Sequence, residues 1–142
     1  MKTRSSRKRG LYVSYSEEKN GLFDEAVQIS NRSGGLIWLD KSRRRPESLH
    51  YPTDIFVRLS GQERYFRGTL VDIRLADGLN RDFALEEQAH RPSRWRDRDV
   101  KACPRPNKDF RSVFFIHALH EVPSPPEVAN IKPPQSPVYV NL

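Results

Sequence analysis

The sequence predicts a mostly β (α+β) domain, a small β barrel or curled sheet with short helices and a flexible basic N-terminal tail. Three observations predict it. Four or five apolar, alternating stretches are separated by short turns, helical periodicity is scarce, and one long proline- and arginine-rich segment stands among the strands. With 142 residues the chain reads as one unit: a disordered basic tail over 1–10 and a single β-rich domain over 11–142.

The elements follow in order. Met1–Gly10 carries five cations and no anion in its first nine residues and reads as a tail able to hold phosphates. Leu11–Tyr15 alternates as a strand. Leu22–Ser30 fits two patterns: Phe23, Ala26 and Val27 suit a helical face, whereas Phe23, Glu25, Val27 and Ile29 suit alternation; it is taken as a short helix. Asn31–Gly35 is a turn by composition. Leu36–Leu39 is a strand, and a polar loop occupies 41–52. Thr53–Leu59 is a strand with Ile55, Val57 and Leu59 on one side and Phe56 and Arg58 on the other. Ser60–Glu63 is a hairpin turn, and Tyr65–Arg74 the strand that follows it. Gly68 within that strand signals a bulge or a close backbone approach.

Arg81–His90 has helical potential, and Arg91–Lys108 is a long loop expected to be mobile. Phe110–His120 is the strongest strand, stopped by Val122-Pro123-Ser124-Pro125-Pro126. Val128–Ile131 is a short helix or turn, and Val138–Val140 a last, edge strand. Phe83, Phe110 and Phe115 are assigned to the core.

Charge is the clearest functional signal. The net charge is +7, with 18 Arg against seven Lys, and the pI is about 9.9. Arginine forks suit phosphates and stack on flat rings. The charge is clumped at 1–9, at 41–45, and at 91–111, where eight cations face Asp97, Asp99 and Asp109. Clumping of this kind implies an anionic partner, DNA or RNA, with a protein partner as an alternative. No apolar run is long enough to cross a membrane, and no amphipathic helix accompanies the charge, so no membrane role is expected. Mean hydropathy is −0.77. The lone Cys103 leaves no partner for an internal disulfide, and a cytoplasmic setting is expected.

Catalytic constellations are sparse. His117 and His120 stand three apart on a predicted strand and are expected on opposite faces, which makes no metal pair. One cysteine cannot build a zinc cluster, and no glycine-rich phosphate loop is present. No cofactor or metal is expected, and binding is favoured over catalysis. Binding chemistry centres on aromatic rings beside cations. Trp38, Lys41, Ser42, Arg43, Arg44 and Arg45 come first, with Tyr51, Phe66 and Arg67 as further walls. Arg94, Trp95 and Arg96 form a gripping loop. A stacked base contributes roughly 1–3 kcal/mol at such a site.

The phrase Trp38-Leu39-Asp40-Lys41-Ser42 resembles the opening strand of EVE domains in the PUA-like superfamily. Thr53–Val57, Phe66–Ile73 and Phe110–His120 with its proline turn resemble their later strands, so the likeness spans about 36–140. Two departures stand out. The insert between the first two strands is shortened to Arg43–Pro52, and 11–35 has no counterpart. The resemblance implies a PUA-like β barrel that takes up a flipped or modified base, with Trp38, Lys41 and Ser42 at the pocket. Two further functions remain open: a protein-interaction module of a phage or defence system presenting a basic face, and a small nuclease or toxin using His117 or His120 as general base.

Overall fold

The computed structural model describes residues 8–16, 22–32, 34–40, 49–61, 63–75, 112–134 and 137–142. The elements are β1 (Arg9–Ser16), α1 (Leu22–Ser30), β2 (Leu36–Asp40), β3 (Thr53–Ser60), β4 (Arg64–Leu75), β5 (Ser112–Val122), a 3-10 turn at Pro126–Val128, and β6 (Val138–Asn141). The expected helix at Leu22–Ser30 is present. β1 begins at Arg9, so Arg9 and Gly10 of the expected tail are strand. The expected helix at 81–90 and the loop at 91–108 lie outside the described residues.

The strands form one six-stranded sheet in the order β2-β5-β4-β3-β1-β6, with β2 and β6 at its edges among the described residues. The fold is therefore mostly β, but the described sheet does not close into the expected barrel: β2 and β6 are not paired. The pairs are antiparallel except β1 with β3, which run parallel. The connection from β1, next to the β6 edge, to β2 at the opposite edge contains α1, which packs on β5 and β2.

Alternation then assigns two faces. Leu11 and Val13 of β1, Ile55, Val57 and Leu59 of β3, Phe66, Leu70 and Ile73 of β4, and Phe114, Ile116 and Leu119 of β5 are buried in one apolar cluster. Phe23, Ala26 and Ile29 of α1 recur at helical spacing and close it from above. Each such side chain contributes about 1.5–3 kcal/mol when fully buried. On the opposite face a smaller cluster joins Tyr12, Phe56, Val128 and Val140. Val128 comes from the 3-10 turn, which folds back after β5.

The register of β5 against β4 shifts twice, between Leu70 and Asp72 and between the pairs Arg67↔His120 and Thr69↔His117; at the second, Ala118 and Leu119 of β5 oppose the single Gly68 of β4. Ala118 takes up the extra length with φ +58°. Gly68 is required opposite: a Cβ there would lie 2.8 Å from Leu119 Cδ2 and 3.0 Å from the His117 carbonyl oxygen. The C-terminus of α1 fastens the bulge. The Leu119 amide donates to Ser30 Oγ (3.0 Å), Ser30 Oγ donates to the Val27 carbonyl (2.7 Å), and Asn31 Nδ2 donates to the Leu119 carbonyl (3.1 Å).

This bulge corrects one sequence expectation. His117 and His120 pair with Thr69 and Arg67, which are two apart on β4 and share a face. Both histidines therefore stand on the face opposite α1, because the inserted residue resets the alternation. Phe115 is a second correction. It is half-buried on that same face, with Arg74 Cζ 4.9 Å from its ring centroid, rather than in the core.

Candidate functional site

The residues expected to form one site are divided between the two faces. Trp38 is 7% exposed and lies under α1. Its neighbours are Tyr15, at 5.7 Å between centroids with rings at 72°, and Phe23, at 6.3 Å and 71°. Phe66 joins the same assembly, 4.9 Å from Phe23, and Arg64 Cζ lies 5.3 Å from its ring. Tyr51 is half-buried against the same core. Trp38 and Phe66 are thus brought together around Phe23, with Tyr51 against the same cluster, all as packed rings. Arg67 follows Phe66 directly and so points the other way. Lys41, Ser42, Arg43, Arg44, Arg45, Arg94, Trp95 and Arg96 lie outside the described residues.

The face opposite α1 carries the polar chemistry. Register places its side chains in rows across the sheet. Asp54, Thr69 and His117 form one row, Tyr12, Phe56, Arg67 and His120 the next, and Ser14, Arg58 and Tyr65 a third. Arg67 Nη2 donates to Asp54 Oδ2, and its Nη1 lies 3.8 Å from Glu127 Oε2 on the 3-10 turn. The guanidinium also lies over Phe56, 5.3 Å from the centroid, so it is held by charge and by the ring face. Glu127 Oε1 is enclosed without a hydrogen-bond partner. Beside the first row a groove of about 320 Å³ is lined by Lys8, Pro52, Thr53, Asp54, Thr69 and Leu142.

The two histidines differ in setting. His120 is exposed, and its Nδ1 is 3.1 Å from the Ala118 carbonyl oxygen. His117 is half-buried beside Gly35, where a Cβ would come within 2.6 Å of its Nε2. Gly35 has φ +70°, so both backbone and space demand glycine there. Among the described residues no three His, Cys, Asp or Glu side chains converge as a cation site.

Titration singles out two groups. Burial, then the nearby Tyr65, pushes the Tyr12 hydroxyl above its ordinary value, while Arg58 pulls it down. The bond from Arg64 holds Glu121 below the ordinary carboxylate range. Arg64 donates twice to Glu121, at 2.9 and 3.0 Å, and approaches Asp24 of α1 at 3.7 Å.

Sequence reasoning names Tyr65 among the rings beside cations, misses Ser14, Asp54 and Glu127 as parts of a polar array, and places Arg58 on the right side of β3 without giving it a role. The alternation in Thr53–Leu59 was the available signal, since it separates Asp54, Phe56 and Arg58 from the core positions. No protein-family model matches the chain, and no curated protein or solved structure matches it either. Among the described residues no helix is long and apolar enough to cross a membrane.

Proposed function

We propose that this protein binds nucleic acid, chiefly through its arginine-rich segments. The observation that carries the reading is where the charge resides. The described framework has eight Lys and Arg against eight Asp and Glu, whereas the other residues carry seventeen against ten. The sheet is electrically balanced and the surplus of seven belongs to the segments around it. A polyanion released from its counterions by such segments is the partner this charge favours.

In the finer form of the reading, the chain is a PUA-like domain that inspects a flipped or modified base. The likeness over 36–140 supports it, and it asks Trp38, packed at 7% exposure under α1, to open toward a pocket with Lys41 and Ser42. Fluorescence anisotropy on single- and double-stranded DNA and RNA at two salt concentrations tests the general reading. Affinity falls steeply with salt, and replacing Arg43, Arg44 and Arg45 together by Ala lowers the log–log slope by about 0.9 for each duplex phosphate that is no longer neutralised. No binding to any nucleic acid at low salt ends it. Trp38→Ala, measured for melting temperature and affinity on one sample, tests the finer form. A base-stacking Trp38 loses roughly 1–3 kcal/mol of binding, and a variant with wild-type affinity per folded molecule removes it from the pocket.

The bulge in β5 favours a second reading, a small nuclease. It puts His117 and His120 on one face beside Arg67, so one imidazole can take the proton of an attacking hydroxyl while the other protonates the leaving oxygen. Cleavage of labelled RNA and DNA by the wild type, reduced about 10²–10⁴-fold in His120→Gln, is the expected result. Cleavage that survives unchanged in both His117→Gln and His120→Gln rejects this reading.

A further inference from the structure

Arg58 stands apart from the other arginines on the strands around it. Arg67 bonds Asp54 and reaches Glu127, Arg74 bonds Asp72, and Arg64 bonds Glu121. Arg58 is half-buried on β3 and has neither an ion pair nor a hydrogen bond among the described residues. Its register neighbours are Ser14 on β1 and Tyr65 on β4. Ser14 Oγ is enclosed and has no hydrogen-bond partner among the described residues.

Every polar group in this row can donate: one guanidinium fork and the hydroxyls of Ser14 and Tyr65. None of the three register positions carries a carboxylate. Asp54 and Glu127, acids of this face, are taken by Arg67. A half-buried cation without a counter-ion and an enclosed hydroxyl without an acceptor are both costly. A single tetrahedral oxyanion satisfies both, since it accepts a bidentate fork and hydroxyl donors at once.

We propose that Arg58, Ser14 and Tyr65 form a receptor for one phosphate group on the face of the sheet opposite α1. The phosphate belongs either to a nucleic-acid backbone or to a free phosphate. The receptor therefore stands independently of the nucleic-acid reading.

The test is a titration of the full chain with inorganic phosphate, followed by the backbone amide resonances of residues 12–14, 57–59 and 65. Wild-type protein shows saturable shifts there, and Arg58→Met, which keeps the stem and removes the fork, weakens them roughly ten- to a hundredfold. Ser14→Ala weakens phosphate binding several-fold without lowering the melting temperature, because it deletes a hydroxyl that has no partner. Gln28→Ala, at an exposed site of α1 on the other face of the sheet, leaves the titration unchanged. A short oligonucleotide that displaces phosphate from these residues identifies a backbone phosphate as the natural group. Phosphate binding that no oligonucleotide displaces identifies a free phosphate instead. Absence of shifts at these residues with both probes overturns the receptor, and so does an identical response in folded Arg58→Met. A Ser14→Ala variant that melts lower and binds phosphate normally also overturns it, since Ser14 is then structural.

Discussion

The two faces of the sheet are made from the same strands by strict alternation, yet they hold different chemistry. Under α1 the side chains are apolar and interlocked, with Phe23 touching Tyr15, Trp38 and Phe66. Charged groups reach that face at its rim, where Arg64 joins Asp24 and Glu121. The opposite face carries Asp54, Arg58, Arg67, Asp72, Arg74, His117 and His120 around a smaller apolar cluster. One face supplies the burial that folds the chain, and that burial frees the other to hold polar groups in fixed register. Rings that look like a binding site in the sequence can therefore be the packed side, while polar groups gather behind them.

The sharpest way to break this comparison is to truncate the packed side. Phe23→Ala removes a fully buried ring with three aromatic neighbours and is expected to cost about 3–5 kcal/mol. That is a large share of the 5–15 kcal/mol typical of a domain. Urea unfolding measures it. A loss below about 1 kcal/mol means that α1 is a dispensable cover and the helix face is not the main core.

Ser30→Ala probes the connection between the faces. The hydroxyl belongs to α1, yet it accepts the amide of Leu119 inside the bulge that aligns the two histidines. Deleting it leaves a buried donor unpaired, with an expected cost of about 1–3 kcal/mol. Faster amide exchange at Leu119 and its neighbours is the accompanying sign. If stability falls but exchange there does not change, the bulge holds itself without the helix.

This link shows where the sequence was legible and where it was not. Alternation in Thr53–Leu59 and the run Phe110–His120 announced strands, since burial on one face imposes period two. Gly68 announced its irregularity through its missing side chain. The faces of His117 and His120 were not legible, because φ at Ala118 depends on Gly68 opposite and on Ser30, which holds Leu119 from 89 residues away in sequence. The open edges of the sheet were hidden for a similar reason. The parallel pairing of β1 with β3 and the path over α1 are long-range choices that local periodicity does not encode. The packing of Trp38 was hidden by its own neighbourhood: four cations within the next seven residues suggest a surface, yet alternation turns the ring inward.

A smaller effect sharpens the polar side. Burial raises Tyr12 above its ordinary value of 10.0, so its phenol resists ionising in the folded protein. Its contribution to stability is fully present below that value. As pH rises from there through the folded value, the unfolded chain ionises first and stability is lost. Unfolding free energies at pH 8 to 11.5 therefore fall less steeply in Tyr12→Phe than in the wild type. Equal slopes mean that the hydroxyl is as well solvated folded as unfolded.

The smallest effect belongs to the rim. Arg64 holds Glu121 below its ordinary value of 4.5, so the sign is opposite to that of Tyr12. The pair stabilises the fold above 4.5, and its contribution is lost as pH falls through the depressed folded value, where the native carboxylate finally takes up its proton. Both partners are well exposed, at 32% and 50%, so water and salt screen the attraction and the gain is modest. Glu121→Gln abolishes this part of the acid dependence while leaving stability near neutral pH almost unchanged. The wild-type advantage over Glu121→Gln also shrinks when salt is raised. A salt-insensitive advantage means that Glu121 acts by packing against the end of β5 rather than by its charge, and the rim then belongs with the apolar face it borders.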